Sequence, residues 1–187
     1  MTDRKREILQ AALELIADEG YGGLSMRALA RASGMKLGAL QYHFRTWEDM
    51  LRGLVNFIAV EFRQRLQTKK GATGSLSVRD IAEFMLDESE EDDWLSDKLW
   101  PQLWAMQQVE PLVSDLLEDV YAEYLAMLQQ AMANNGHQAS QAEALCLMSL
   151  LESESLFTGK GRRWAQERGA MRELILNLID QRYGEPQ

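Results

Sequence analysis

The stretch SMRALARASGMKLGALQYHFRTWEDML, Ser25 to Leu51, decides how this 187-residue chain is read. Ser25 belongs to the residue types that cap helix N-termini, and Met26, Leu29 and Ala30 follow it at the spacing of one apolar helical face. Ser33-Gly34-Met35 interrupts that face, and Leu40 and Phe44 then mark the inner side of a second short helix. A glycine between the two permits the left-handed backbone that a tight helix-helix corner needs. Upstream, REILQAALELIADEGYGGLS extends a further amphipathic helix, predicted over Asp3 to Glu19 and closed by Gly20. Its expected inward residues are Ile8, Ala12, Leu15 and Ile16. Three such helices predict a helix-turn-helix head.

The outward set of the second short helix suits the major groove of DNA. It comprises Lys36, Leu37, Gly38, Ala39, Gln41, Tyr42 and His43, with Arg45 just beyond. Gly38 permits close backbone approach, Leu37 and Ala39 suit a thymine methyl, and Gln41 suits bidentate pairing with adenine. Tyr42, His43, Arg27 and Arg45 are better placed for phosphates, which fix register rather than read bases.

A net charge of −9 looks wrong for such a protein until it is divided along the chain. Residues 1–70 hold 12 Lys/Arg against 8 Asp/Glu, an excess of +4, whereas residues 71–187 hold 8 against 21, or −13. The basic excess lies where DNA would be met.

Further along, Thr46 is expected to cap a helix over Trp47 to Thr68, with Glu48 and Asp49 in its first turn where the helix dipole favours acids. A polar linker, Gly71 to Ser75, precedes a helix over Val78 to Leu86, and the acidic run DESEEDDW reads as a solvated connection. Between Trp94 and Val109 lies another helix with Pro101 in its first turn. Glu110-Pro111 opens a long helix whose buried stripe should comprise Leu112, Val113, Leu116, Leu117, Val120, Tyr124, Leu125 and Leu128, ended by Asn134-Asn135-Gly136. Ser140 and Glu143 have capping-box spacing for a helix ending near Gly159, and a last helix follows GKGRR. The sum is an all-α chain of about nine helices, divided as a head, residues 1–46, and a helical body, residues 47–187.

Composition narrows the function. No stretch approaches the roughly 18 apolar residues of a membrane span, and the N-terminus does not read as a secretory signal, so the cytoplasm is the expected location. The one cysteine, Cys146, cannot form an internal disulfide and sits among apolar neighbours as a small core residue would. With only His43 and His137, no glycine-rich phosphate loop and no HExxH, the chain lacks the usual catalytic, metal and nucleotide signatures. No enzyme activity, cofactor or metal is expected.

The N-terminal region resembles the DNA-binding domain of the TetR (tetracycline-repressor-like) family of bacterial transcription factors. The likeness runs from Arg6-Glu7-Ile8-Leu9 through Ala12, Gly20-Tyr21, Ser25, Leu29-Ala30, Gly34, Gly38, Leu40 and Tyr42-His43-Phe44 to Glu48 and Leu51. Three positions depart from the family pattern: Lys36 replaces a small polar residue, Gln41 a tyrosine and Trp47 a lysine. In the family that tyrosine and lysine hold the DNA backbone. The indole N–H of Trp47 could donate to a phosphate or the ring could pack under the head.

The resemblance implies an effector-binding and dimerisation body, and the residues allow one. Met85, Trp100, Trp104 and Tyr124 are large groups on the middle helices, read either as plain core or, with a carboxylate such as Glu152 or Glu154, as a cage for a lipophilic cation. Both acids can equally be placed on a wet helix face. Ala142, Cys146, Ser149 and Ser153 form a line of small residues, and Leu174 and Leu178 belong to an aliphatic stripe on the last helix. Together these two helices read as a dimer seam about a two-fold axis, or as packing within one chain. A dimer is favoured because one recognition helix covers too few base pairs for useful specificity. The reading is a homodimeric regulator, a repressor released from a palindromic operator by an apolar or amphipathic small molecule. The alternatives are a helical ligand-binding or adaptor protein that has lost DNA binding, and a regulator controlled by a protein partner.

Overall fold

A computed structural model of the chain describes residues 2–68, 75–86, 99–134, 136–138 and 140–184. The linker residues from Gly71 to Gly74, the acidic run with its Trp94, and Asn135 lie outside the described residues. Among those described there is no strand. Nine α-helices follow in order: α1 (Asp3–Glu19), α2 (Met26–Ala32), α3 (Leu37–His43), α4 (Trp47–Thr68), α5 (Val78–Leu86), α6 (Leu99–Val109), α7 (Pro111–Asn134), α8 (Gln141–Thr158) and α9 (Arg168–Tyr183). None is long and apolar enough to cross a membrane, among the described residues.

The helix starts are written in local chemistry. Ser25 Oγ accepts from the Ala28 amide at 3.1 Å, and Ser140 Oγ from Glu143 at 3.2 Å. At α4 the cap is reciprocal: the Asp49 amide donates to Thr46 Oγ1 at 3.0 Å while the Thr46 amide donates to an Asp49 carboxylate oxygen at 3.2 Å. Each bond satisfies an amide that has no partner inside the helix. Pro111 opens α7, where its missing N–H costs nothing. Gly20 (φ 77°) ends α1, and Gly34 (φ 64°) turns the corner between α2 and α3, both in backbone regions that disfavour a side chain.

The described residues form two compact units. The first takes those up to Phe62 with those from Leu99 to Val120. Its core joins Ile8, Leu9, Ala12, Leu13 and Ile16 of α1 to Leu29, Leu40, Phe44, Met50, Leu51 and Leu54. Leu15, expected inward, is only part-buried, and Leu9 and Leu13 are the core residues. At about 100° per residue Leu15 falls roughly 90° from the centre of the stripe that its neighbours define. Fully burying a leucine contributes about 1.5–3 kcal/mol, so this one-position choice matters.

The second unit takes the described residues from Arg63 to Leu86 and those from Tyr121 onward. Here α5, α8 and α9 pack on one another, with a 3₁₀ turn, Ala165–Glu167, against α8 and α9. Ala144, Leu147, Met148 and Leu151 are the inward apolar side of α8, and Ile175, Ile179 and Tyr183 that of α9. Cys146 is exposed, which overturns its reading as a core residue. Two positions beyond Ala144, it lies about 200° around the helix, on the far side from that stripe.

Candidate nucleic-acid interface

The sequence of α3 separates into two faces. Leu40 is fully buried and Phe44, its C-cap, is 4% exposed, so these two residues fix the helix to the head. Lys36, Gly38, Ala39, Gln41, Tyr42 and Arg45 are exposed, as is Arg27 on α2, while Leu37, His43 and Trp47 are part-buried. Tyr42 is 85% exposed, and its ring meets that of His43 edge-on at 5.5 Å. A side chain so large left in solvent on a seven-residue helix has no packing role within this chain. Nothing lies within 4 Å of where a Cβ on Gly38 would stand, so the backbone there is open to approach.

Several supports were not foreseen from the sequence. Gly53 on α4 lies under the Phe44 ring, and a Cβ there would stand 2.8 Å from Phe44 Cε1. The Lys5 ammonium sits over the Phe44 ring, 5.4 Å from its centroid. Arg4 pairs with Glu7 at 2.5 Å and also donates to the Ser33 carbonyl at 3.2 Å, tying the start of α1 to the turn before α3. The departure at Trp47 has a local partner: its indole N–H donates to the Tyr21 hydroxyl, which itself donates to Glu110. Burial first, and the Glu110 carboxylate second, push the Tyr21 hydroxyl well above the ordinary tyrosine range, so it stays a donor. The Tyr21 amide donates to Gln102 Oε1 of α6 at 3.3 Å. The contacts of Tyr21 with Gln102 and Glu110 join residues 81 and 89 apart in the chain, which is why those partners leave no local signal in the sequence.

The residues expected to take an effector divide between the units. Trp100 and Trp104 are part-buried on α6 in the first unit. Met85, Tyr124 and Glu152 belong to the second, and there Tyr124 and Glu152 act on each other electrostatically. Neither Glu152 nor Glu154 is fully exposed. Glu154 is 2% exposed and paired with Arg168 at 2.8 Å, and burial pushes Glu152 up to about 7. Of the seam residues, Cys146, Ser149, Leu174 and Leu178 are exposed and Ser153 is part-buried.

A helix-turn-helix head carried on an all-helical body is the class of protein that this geometry defines. Residues 8–54 match the family model of bacterial regulatory proteins, tetR family. The HTH-type transcriptional repressor AcnR of Corynebacterium glutamicum is 31% identical over 98 residues, 52% of this chain and 48% of AcnR, so the chain matches about half the length of that relative. A Rhodococcus sp. protein assigned as a TetR-family transcriptional regulator superposes with a TM-score of 0.80 at 23% identity, covering 97% of this chain and 100% of the other. A Saccharomonospora viridis protein assigned as a transcriptional regulator, crystallised in complex with choline, superposes at 0.75 and 21% identity over 96% and 97%. Over residues 8–54 the chain thus carries a stretch similar to the tetR family of bacterial regulatory proteins, and over nearly its whole length it shares the fold of these solved regulators.

Proposed function

We propose that this chain is a homodimeric transcriptional repressor that reads a palindromic DNA operator with α3 and is released by an apolar or amphipathic small molecule. The observation that carries it is the division of α3 itself. Two apolar residues anchor the helix, and every exposed position offers a small, polar or cationic group. Gln41 faces a base edge, with Leu37 and Ala39 beside thymine methyls. Arg27, Lys36, Tyr42, His43 and Arg45 hold phosphates. Trp47 joins them only by giving up its bond to Tyr21.

The dimer is supported by what the last two helices leave outside. Leu174 and Leu178 are 65% and 58% exposed on α9, and Leu145, Leu156 and Phe157 are exposed on α8. Ser149 Oγ donates back to the Leu145 carbonyl at 2.8 Å and Ser153 Oγ to that of Leu150 at 3.2 Å. With their hydroxyls satisfied inside α8, both serines can be covered by a partner helix without losing a hydrogen bond.

The choline held by the Saccharomonospora viridis neighbour supports a small-molecule effector. An effector acts only by preferring one disposition of the heads over the other. Tyr21, bonded to Trp47 at the start of α4 and to Glu110 and Gln102 on the α6 side, is the residue through which a shift of α6 would reach the head. A gel-shift with the duplex upstream of the chain's own gene tests the proposal. A retarded band, lost on adding small organic molecules that quench tryptophan emission, is expected. No retarded band at low salt favours an adaptor that has lost DNA binding, and a band that only a protein releases favours a partner-controlled regulator.

A further inference from the structure

Glu152 and Glu154, two residues apart on α8, point to different sides of the helix and have opposite surroundings. Glu154 meets Arg168 at 2.8 Å and Arg172 at 3.6 Å and accepts from Thr158 Oγ1 at 2.8 Å. Its charge is more than matched from within the chain. Arg168, part-buried and crowded by Arg172, is itself pulled down to about 10, burial acting first.

Glu152 has no such partner. It lies against α7, where Tyr121 donates a hydrogen bond to it and Tyr124, 2% exposed, stands behind. Among the described residues no Lys, Arg or His is paired with it. Arg63 acts electrostatically on Tyr124 and is paired with Glu123 at 3.5 Å. The two tyrosine rings meet edge to face at 83°, with centroids 6.3 Å apart. Glu152 is part-buried.

A carboxylate removed from water keeps its charge when an opposite charge or hydrogen bonds stabilise it, and otherwise takes up a proton. Two residues away the chain supplies that charge with arginines; at Glu152 it supplies the Tyr121 hydrogen bond and no cation, so an external cation would find a carboxylate ready to pair. Tyrosine faces and a desolvated carboxylate favour a cation that sheds water easily and spreads its charge, which alkylated ammonium does and a primary ammonium does not. A metal ion is a poor fit: among the described residues no three His, Cys, Asp or Glu side chains come together. We infer that Glu152, Tyr121 and Tyr124 form a cation site between α7 and α8 that takes a weakly hydrated alkylammonium ion, Glu152 giving the counter-charge and the tyrosines the aromatic wall.

This deepens the effector reading and rests on it only where the bound cation is asked to release DNA. The test therefore begins without DNA. The full chain is titrated by calorimetry and by thermal shift with tetramethylammonium chloride and with tert-butanol, an uncharged molecule of similar size, at constant ionic strength. The cation should bind and raise Tm, more strongly at about pH 8 than at about pH 5.5, where Glu152 holds a proton; tert-butanol should do neither. Glu152→Gln and Tyr121→Leu should each weaken cation binding about tenfold with helicity by circular dichroism unchanged. If Tyr121→Leu does not fold, Tyr121→Phe serves, and it should keep the affinity within about threefold because the ring remains. Equal binding of tert-butanol, or a Glu152→Gln protein that binds the cation as the wild type does, overturns the site. Cation binding that leaves a DNA complex intact keeps the site and removes the effector reading. Release of DNA by neutral molecules with no cation binding does the reverse.

Discussion

The two compact units are made of the same material, amphipathic helices, and leave their apolar side chains in different places. Among the described residues, two large apolar side chains stand outside the first unit, Tyr42 and Val109. Six stand outside the second: Leu145, Leu156, Phe157, Trp164, Leu174 and Leu178. The first unit closes its own core and turns polar and cationic groups outward from α3. The second leaves aliphatic surface uncovered; each unit buries a carboxylate against arginine, Glu61 with Arg6 in the first and Glu154 with Arg168 in the second, and the second adds Glu152 with none. Apolar surface left in water is stabilised by another protein surface, and a polar, basic face by a polyanion. On the proposed function, assembly and the Glu152 cation site fall to the second unit and DNA reading to the first.

The sharpest way to break this assignment is to charge the aliphatic stripe of α9. In a two-fold dimer a substitution is felt twice, so Leu178→Arg should give monomers by sedimentation. Operator affinity should then fall about a thousandfold or more, toward non-specific binding. A normal dimer from this variant places the interface elsewhere.

The next effect separates the two buried acids. Glu152 is pushed up to about 7 from 4.5, chiefly by burial. Below the unfolded value both states are protonated and nothing is lost. As the pH rises, the unfolded state ionises first, and above about pH 7 wild type carries the full penalty, about 3 kcal/mol by proton linkage. Denaturant unfolding of Glu152→Gln should therefore show a gain of that order near pH 8 that disappears near pH 4. A gain independent of pH would mean that Glu152 is not the titrating group. Glu154→Gln should instead destabilise at pH 8, since it leaves Arg168 and Arg172 without their carboxylate.

In the first unit, Gly53→Ala forces a methyl against the Phe44 ring and should cost about 1–3 kcal/mol in stability. Because Phe44 caps α3, DNA affinity should fall with it; loss of stability with unchanged DNA affinity would show that α3 is placed independently of α4. Smallest in total effect, Gln41→Ala should change preference at a single base pair by about 1–3 kcal/mol while binding to other sequences holds. Unchanged preference removes Gln41 from the base-reading set.

What was legible in the sequence was whatever local chemistry decides. Thr46 and Asp49 make their cap within one turn, Pro111 starts a helix wherever it stands, and Gly34 turns a corner whatever surrounds it, so the starts of α4 and α7 and the α2–α3 turn could be read directly. Direction was harder. On α8, leucines at 145, 147, 150 and 151 surround the helix, so periodicity does not choose a face, and Cys146 was placed inside when it lies outside. Long-range partners left no trace at all. The arginines of Glu154 arrive from the next helix, Glu110 reaches Tyr21 across most of the first unit's chain length, and the ring over Gly53 is visible only once α3 and α4 are folded.

The central claim, that α3 is a DNA-reading surface, is tested most directly by fluorescence anisotropy of the upstream duplex across a salt series, comparing wild type with Lys36→Ala and Arg45→Ala. Counterion release makes log K fall against log salt with a slope of about −0.9 for each phosphate neutralised. Each variant should bind all sequences more weakly and lower the magnitude of that slope by about 1 per head that loses its contact. Tight binding with a slope that neither variant changes would contradict the account.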